Sequence, residues 1–331
     1  MVLPHKENNI IDVSIIVVNW NTKNSLRNCL KSIYDRAGDV SYEVIAVDNA
    51  SADGSAGMAR EEFPRVILIA NSENKGFAAA NNQGMRIARG RYILLLNSDT
   101  IICDNAVEKV VMYAGKHPDV AVVGCQVWEN PEVVQMTCFR FPSLTNIFLS
   151  TFWLAKAFKH NRFLGREWML WWKRDTETDV DVVSGMFMLV RREAINEVGM
   201  MDEIFFVFGE EADWCYRFAE SGWKVRFWPG ARIIHLGGGG HSTDQASVAM
   251  SVQIQKSLLI FVRKHRGKLH YWVARLMLCI SFGLRSCICA MLFSLKKLTR
   301  GQTNHYTDRL AKSWAVFKFV AVSIQHSTSC H

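Results

Sequence analysis

A chain of 331 residues, 49% hydrophobic and 21% charged, can bury one large domain with an appendage, or two domains, and is not a disordered polymer. Its net charge of +8 is lopsided: from Lys256 onward thirteen Lys or Arg stand against Asp308 alone, a local +12 that leaves the remainder at −4. A mildly acidic body excludes the basic cleft of a nucleic-acid enzyme.

In chain order, VSIIVV (13–18) is a β-branched apolar run that predicts a buried strand. In NWNTKNSLRNCLKSI, Asn21, Thr22 or Asn24 caps a helix with Leu26, Leu30 and Ile33 on one face. YEVIAVD predicts a second strand ending at Asp48, NASADGS is turn chemistry, and RVILIA predicts a third strand. GFAAANNQGMRIARG predicts a helix that Gly90 ends, and YILLLNSD a fourth strand that stops on Asn97, Ser98 and Asp99. This alternation predicts an α/β fold, a mostly parallel sheet with flanking helices. Ligands of such sheets bind beyond the carboxyl ends of the strands, where Asn19, Asp48 and Asp99 all fall. The loop NWNTKN contains no glycine, which excludes a G-x-G-x-x-G dinucleotide site and counts against a nucleotidyltransferase phosphate loop.

Several residues carry chemistry, each with a plainer structural alternative. A carboxylate at a core rim, such as Asp99, is costly unless compensated, and its hard oxygens suit Mg²⁺ or Mn²⁺; otherwise it is a solvated turn residue. Asp48 is a ligand or an Asx turn, and Asp53 a turn residue. Lys75 and Gly76 precede a helix whose free amides make an anion site, while Ala78–Ala80 suits tight packing and Asn81 and Asn82 suit surface solvation. In FFVFGEEADWCYR, Glu210 and Asp213 crowd Glu211 and raise its pKa, as a general base needs; alternatively Asp213 pairs with Arg217 along a helix. His235 precedes four glycines, where a lone histidine is ordinarily structural.

The blocks VSIIVVNWN, VIAVDNASADGS, NKGFAAANNQG, LLLNSDT, FFVFGEEADWCYR and IIHLGGG, in this order, resemble family 2 inverting glycosyltransferases of the GT-A fold. The resemblance covers roughly residues 12–240 and is strongest to the bacterial branch containing rhamnosyltransferases of O-antigen and cell-wall assembly. It implies that Asp99, with His235, holds Mg²⁺ or Mn²⁺, and that Asn19, Asp48, Lys75, Gly76, Asn81 and Asn97 form the donor site. Asn97 stands where the family's D-x-D motif begins with an aspartate, and lacks its charge. Glu211 matches the catalytic base, with Glu210 as a substitute and Asp213 beside it; Ser184, Gly185 and Trp214 fall on the acceptor side, and His241 past the glycines is a weaker candidate. The implied reaction moves a sugar, L-rhamnose from dTDP-rhamnose, onto a lipid-linked saccharide with inversion. Galactofuranosyl or N-acetylhexosaminyl transfer from a UDP-sugar is the alternative, and a catalytically inactive membrane scaffold the reading from another class.

The remaining features concern lipid and location. Residues 143–175 place Trp153, Trp168, Trp171 and Trp172 among Lys and Arg, which suits a membrane–water boundary or a lid with a buried aromatic face. Leu276–Leu295 is long enough to span a bilayer, but Arg285 near its middle costs roughly 2.5–3.5 kcal/mol. Arg275, Ser281, Arg285 and Lys296 share one face, predicting an interfacial helix with that cationic face on anionic headgroups. Nine scattered cysteines without a matched CxxC pair predict a reducing cytosol, and Glu7 and Asp12 break the run an export signal needs. The expected organisation is a GT-A domain over 10–240 with an aromatic insertion near 143–175, then a basic helical region over 241–331. It would sit peripherally on the cytoplasmic face of the inner (plasma) membrane.

Overall fold

The computed structural model describes residues 11–130, 132–158, 160–235, 247–298 and 304–326. The chain forms two compact units: Met1–Phe139, Lys173–Phe206 and Glu211–His241 make the first; Arg140–Trp172, Val207–Glu210 and Ser242–His331 the second. The aromatic insertion therefore groups with the C-terminal helices.

The first unit begins with β1 (Val13–Asn19), α1 (Lys23–Arg36), β2 (Tyr42–Asp48), α2 (Ser55–Glu62), β3 (Ile67–Ala70), α3 (Phe77–Ile87) and β4 (Tyr92–Asn97). After β5 (Thr100–Ile102) come α4 (Ala106–Lys116), β6 (Val120–Asn130), β7 (Val133–Val134) and β8 (Cys138–Phe139). In the second unit lie α5 (Leu144–Thr151) and α6 (Leu154–Ala157). The chain then returns to the first with β9 (Thr178–Asp179), β10 (Val182–Val183), β11 (Phe187–Arg191), α7 (Arg192–Val198), α8 (Glu210–Glu220) and β12 (Lys224–His235).

Strands β3, β2, β1 and β4 are parallel neighbours, and the sheet continues through β11, β6, β12 and β5. Strand β11 runs antiparallel to both β4 and β6, which makes the sheet mixed, with its parallel part in β3, β2, β1 and β4. Strand β1 is buried on both faces and is apolar except for Ser14 before its terminal Asn19, with Val13, Ile15, Ile16 and Val17 fully buried. Each such side chain contributes about 1.5–3 kcal/mol by leaving water. The sequence placed the end of α3 at Gly90, but the helix stops at Ile87 with Ala88 in an extended conformation. Gly90 is instead a crossing point: a Cβ there would lie 2.4 Å from the Ser14 amide nitrogen.

The second unit contains α5, α6, α9 (Ser247–Leu298, interrupted at Gly267, φ 87°) and α10 (Asn304–His326). Ile147, Leu259, Val262, Leu278, Val316 and Val320 form its core. The prediction for α9 inverts here. Arg275, expected to face headgroups, is 2% exposed and donates from Nε to the Val320 carbonyl at 2.7 Å. Ser281 and Arg285 both donate to the Thr151 carbonyl. The outward face is apolar instead: Trp272, Leu276, Ile280, Leu284, Ile288, Met291 and Leu295 are all exposed. Periodicity sets which residues share a face; tertiary partners decide which face turns inward. The aromatic stretch divides likewise, with Trp172 buried while Trp153 and Trp168 are exposed.

Glu167 is half-buried in this unit, but its Oε2 is buried without a hydrogen-bond partner, and this desolvation raises its pKa to about 8. Its folded pKa exceeds the ordinary 4.5, so its contribution is fully present below pH 4.5 and is lost as pH rises through about 8. The slope is at most about 1.4 kcal/mol per pH unit. Glu167→Gln should remove this dependence and raise the unfolding midpoint at pH 8.5, measured by thermal denaturation in detergent. Equal midpoints for both proteins at that pH would refute the assignment.

Candidate active site

The carboxyl ends of the central strands are tied into one polar rim. In register, Asn19 of β1 faces Asp48 of β2, and Asn19 Nδ2 donates to Asp48 Oδ1 at 2.9 Å. The Ser51 amide donates to Asp48 Oδ2 at 3.0 Å, so the carboxylate, 3% exposed, also closes an Asx-type turn. Thr22 Oγ1 donates to Asn19 Oδ1 at 2.6 Å and meets Ser98 Oγ at 3.0 Å, carrying the network across to the end of β4. Asp53 accepts from the Lys23 amide at 2.7 Å and from Ser55, so it caps α1 and α2 as a turn residue.

Asp99 sits in the tight turn between β4 and β5, and the sheet brings it a partner from far along the chain. Strands β5 and β12 pair antiparallel with Thr100 opposite His235. This register sets His235 Nε2 3.1 Å from Asp99 Oδ1, with the side chains 10% and 15% exposed. The other ring nitrogen, Nδ1, lies 2.9 Å from Gln135 Oε1. With Nδ1–H donated to the amide oxygen, Nε2 presents its lone pair towards the carboxylate, a pairing that either a proton or a cation completes. The residues thus fit a divalent ion, supplying one hard oxygen and one imidazole donor. Among the described residues no group of three His, Cys, Asp or Glu converges, so further donors would come from phosphate oxygens and water. His241 lies outside the described residues.

The second acidic centre adjoins the same rim. The Asn97 amide donates to the Met186 carbonyl at 3.2 Å, placing the end of β4 beside Ser184–Met186. The Gly185 amide donates to Glu211 Oε1 at 3.1 Å. A Cβ on Gly185 would stand 3.1 Å from that oxygen and from the Phe77 ring, so glycine permits the approach. Burial, rather than the like-charge crowding expected from sequence, is the leading cause of Glu211's raised pKa, offset by the Gly185 hydrogen bond. Asp213 is fully buried and committed to Arg217, Nε to Oδ2 2.9 Å. Glu210, 1% exposed, is more enclosed than Glu211, which is half-buried at the surface.

The remaining predicted residues divide. Asn49 Nδ2 donates to the Gly76 carbonyl at 3.1 Å, linking the Asp48 turn to the start of α3. Gly76 has φ 84°, and a Cβ there would lie 2.3 Å from the Phe206 carbonyl oxygen, so no side chain fits. The amides expected to face an anion are partly used: Gly76 donates to Asn74 Oδ1 and Phe77 to Phe206 O. Lys75 is exposed. Asn81 and Asn82 are not solvated; at 1% and 2% exposure they bond the Phe77 and Met201 carbonyls, which leaves Asn81 no surface for a donor. Trp214 is fully buried with its indole N–H on the Gly199 carbonyl, so it packs the core and offers nothing to an acceptor.

The sequence profile of glycosyl transferase family 2 matches residues 14–199, more than half of the chain. The chain belongs to that family. Over 282 residues this glycosyltransferase is 25% identical to the N-acetylglucosaminyl-diphospho-decaprenol L-rhamnosyltransferase of Mycobacterium tuberculosis, covering 79% of this chain and 87% of that protein. It is 26% identical over 226 residues to the O-antigen biosynthesis protein RfbC of Myxococcus xanthus, covering 67% of this chain and 17% of RfbC. Among solved structures it resembles the mannosyltransferase PcManGT from Pyrobaculum calidifontis, in complex with GDP-Man and Mn²⁺, with TM-score 0.55 and 16% identity over 98% of this chain and 89% of that one. A second likeness is to GalNAc-T7 with UDP, GalNAc and Mn²⁺, at TM-score 0.51 and 14% identity over 78% of this chain and 52% of that one. At these identities the likeness establishes the fold, and the fold is GT-A.

Sequence reading of the glycosyltransferase missed Thr22, Ser98 and Gln135. Thr22 was weighed only as a helix cap, and Ser98 only as part of a turn. Gln135 carried no signal at all, because it meets His235 only through β6, which pairs with both β7 and β12.

Proposed function

We infer that this glycosyltransferase is metal-dependent and inverting, and moves L-rhamnose from dTDP-rhamnose onto a lipid-linked saccharide in cell-surface polysaccharide assembly. The observation that carries the reading is the β5–β12 register, which sets His235 against Asp99 on the rim that also holds Glu211. The mycobacterial relative, whose name specifies an L-rhamnosyl group and a diphospho-decaprenol lipid, supports both donor and acceptor class.

The Asp48 end of the rim would hold the nucleoside, with buried Asn19 orienting the Asp48 carboxylate from behind and Asn97 accepting from the ribose. Asp99 and His235 would hold the divalent ion, which when bound neutralises the diphosphate and stabilises it as a leaving group. Glu211 takes the proton of the acceptor hydroxyl while that oxygen forms its bond to the anomeric carbon from the opposite face. The anomeric C–O bond breaks and the nucleotide diphosphate departs with the electron pair. Ser184 and Gly185 border the acceptor, the glycine keeping room beside Glu211. A helix from Ser247 to Lys297 is long and apolar enough to cross a membrane, and its exposed apolar stripe supports attachment there.

Calorimetric titration of the purified protein with dTDP, UDP and GDP, with and without Mn²⁺, tests the donor. Mn²⁺-dependent preference for dTDP is expected. A preference for UDP would move the sugar to galactofuranose or an N-acetylhexosamine, and failure of all three would return the inactive scaffold.

A further inference from the structure

The second unit encloses a cavity of about 620 Å³ bounded by α6, α9 and α10. Four cations line it, Lys156, Arg285, Arg309 and Lys312, and no carboxylate does. Asp308 answers Lys312 at 2.9 Å; among the described residues the other three have no carboxylate partner.

Arg285 is the least compensated of them. Its guanidinium lies 4.5 Å from the centre of the Trp153 ring and 4.7 Å from that of Phe282. One Nη donates to the Thr151 carbonyl, and the buried Nε has no hydrogen-bond partner. A desolvated guanidinium with an orphaned N–H is costly unless an anion arrives, and its forked donors match phosphate. The cavity's apolar wall supplies the other half of a ligand. Ile288 lines the cavity and also belongs to the exposed apolar stripe of α9, so a hydrocarbon chain can run from one to the other.

We propose that this cavity holds the diphosphate of the lipid-linked acceptor together with the first isoprenoid carbons of its chain. The assignment rests on the acceptor class proposed above. Charge favours this occupant over a bilayer lipid: a diphosphate diester brings two negative charges to three cations that have no carboxylate partner among the described residues, and a phosphodiester headgroup brings one. The volume suits such a fragment, since ligand pockets run from about 300 to 1,000 Å³. The cavity thereby fixes the lipid end of the acceptor in the second unit, leaving its sugar as the mobile part.

The test uses the full chain in detergent, titrated with farnesyl diphosphate, farnesol and phosphatidylglycerol vesicles. Farnesyl diphosphate should bind and farnesol should not match it. Arg285→Gln and the double substitution Lys156→Gln/Arg309→Gln should each weaken farnesyl diphosphate binding by about tenfold or more. Because Arg285 also holds the Thr151 carbonyl and its variant can misfold, the double variant, at the surface, carries the decision. Equal affinity for farnesol, or an unchanged double variant, overturns the proposal. Loss confined to phosphatidylglycerol vesicles also overturns it and makes the cavity a bilayer anchor. Titrating the same samples with dTDP and Mn²⁺ separates the two readings. Nucleotide binding without farnesyl diphosphate binding sinks the cavity alone, and the reverse sinks the proposed transfer while the lipid-phosphate site stands.

Discussion

Glu211→Gln should lower sugar transfer by about 10²- to 10⁴-fold, the usual contribution of a positioned general base, and leave nucleotide affinity unchanged. The substitution is nearly isosteric, and a glutamine oxygen can still accept the Gly185 amide that Glu211 Oε1 accepts at 3.1 Å. Local structure should therefore persist while the proton acceptor disappears. The pH profile offers a second, independent signature. Burial raises the Glu211 pKa above the ordinary carboxylate value, and a base works only when ionised. Activity of the native enzyme should thus fall as pH drops through this raised pKa, at a higher pH than an exposed glutamate would give. The residual rate of the variant should lack that limb. Glu211→Asp, one methylene shorter, withdraws the carboxylate from Gly185 and should give an intermediate rate. If Glu211→Gln keeps its rate and Glu210→Gln loses it, the base is Glu210.

The strands β1, β2 and β4 were legible because each is a largely apolar run between turn residues, as a strand buried on both faces must be, and β3, partly exposed, was legible from its apolar ILIA. Asn19, Asp48 and Asp99 followed from strand ends alone, and the first two do meet at 2.9 Å. What stayed hidden depends on partners distant in sequence. Nothing local to Thr100 announces that His235 will lie opposite it, since the pairing spans most of the first unit. Asn81 was expected at the donor, with surface solvation the alternative for it and Asn82; here both amides are buried on the Phe77 and Met201 carbonyls. The α9 helix was misoriented for the same reason. Of the stripe predicted from Arg275, Ser281, Arg285 and Lys296, Lys296 is exposed, whereas the Val320 and Thr151 carbonyls drew the other three inward.

Asp99→Asn should abolish Mn²⁺-dependent nucleotide binding, and His235→Ala should weaken it severely, both read by titrating Mn²⁺ at fixed dTDP. The amide keeps the shape of the carboxylate but removes the charge that holds a hard cation, so the variant separates geometry from electrostatics. Asn97 sharpens the effect: with no carboxylate at that neighbouring position, the β4–β5 turn has only Asp99 to give. Gln135 provides the finer measurement. It is assigned no contact with nucleotide or ion, yet its Oε1 lies 2.9 Å from His235 Nδ1 and orients the ring. Gln135→Leu frees that ring and its tautomer, and should weaken metal affinity by about 10- to 100-fold, as outer-shell substitutions usually do. Nucleotide binding measured without metal should not change. If Gln135→Leu leaves Mn²⁺ affinity intact while His235→Ala destroys it, the ring is oriented by packing alone. If neither changes the affinity, the imidazole is a structural neighbour of Asp99, and the ion depends on the carboxylate and the diphosphate.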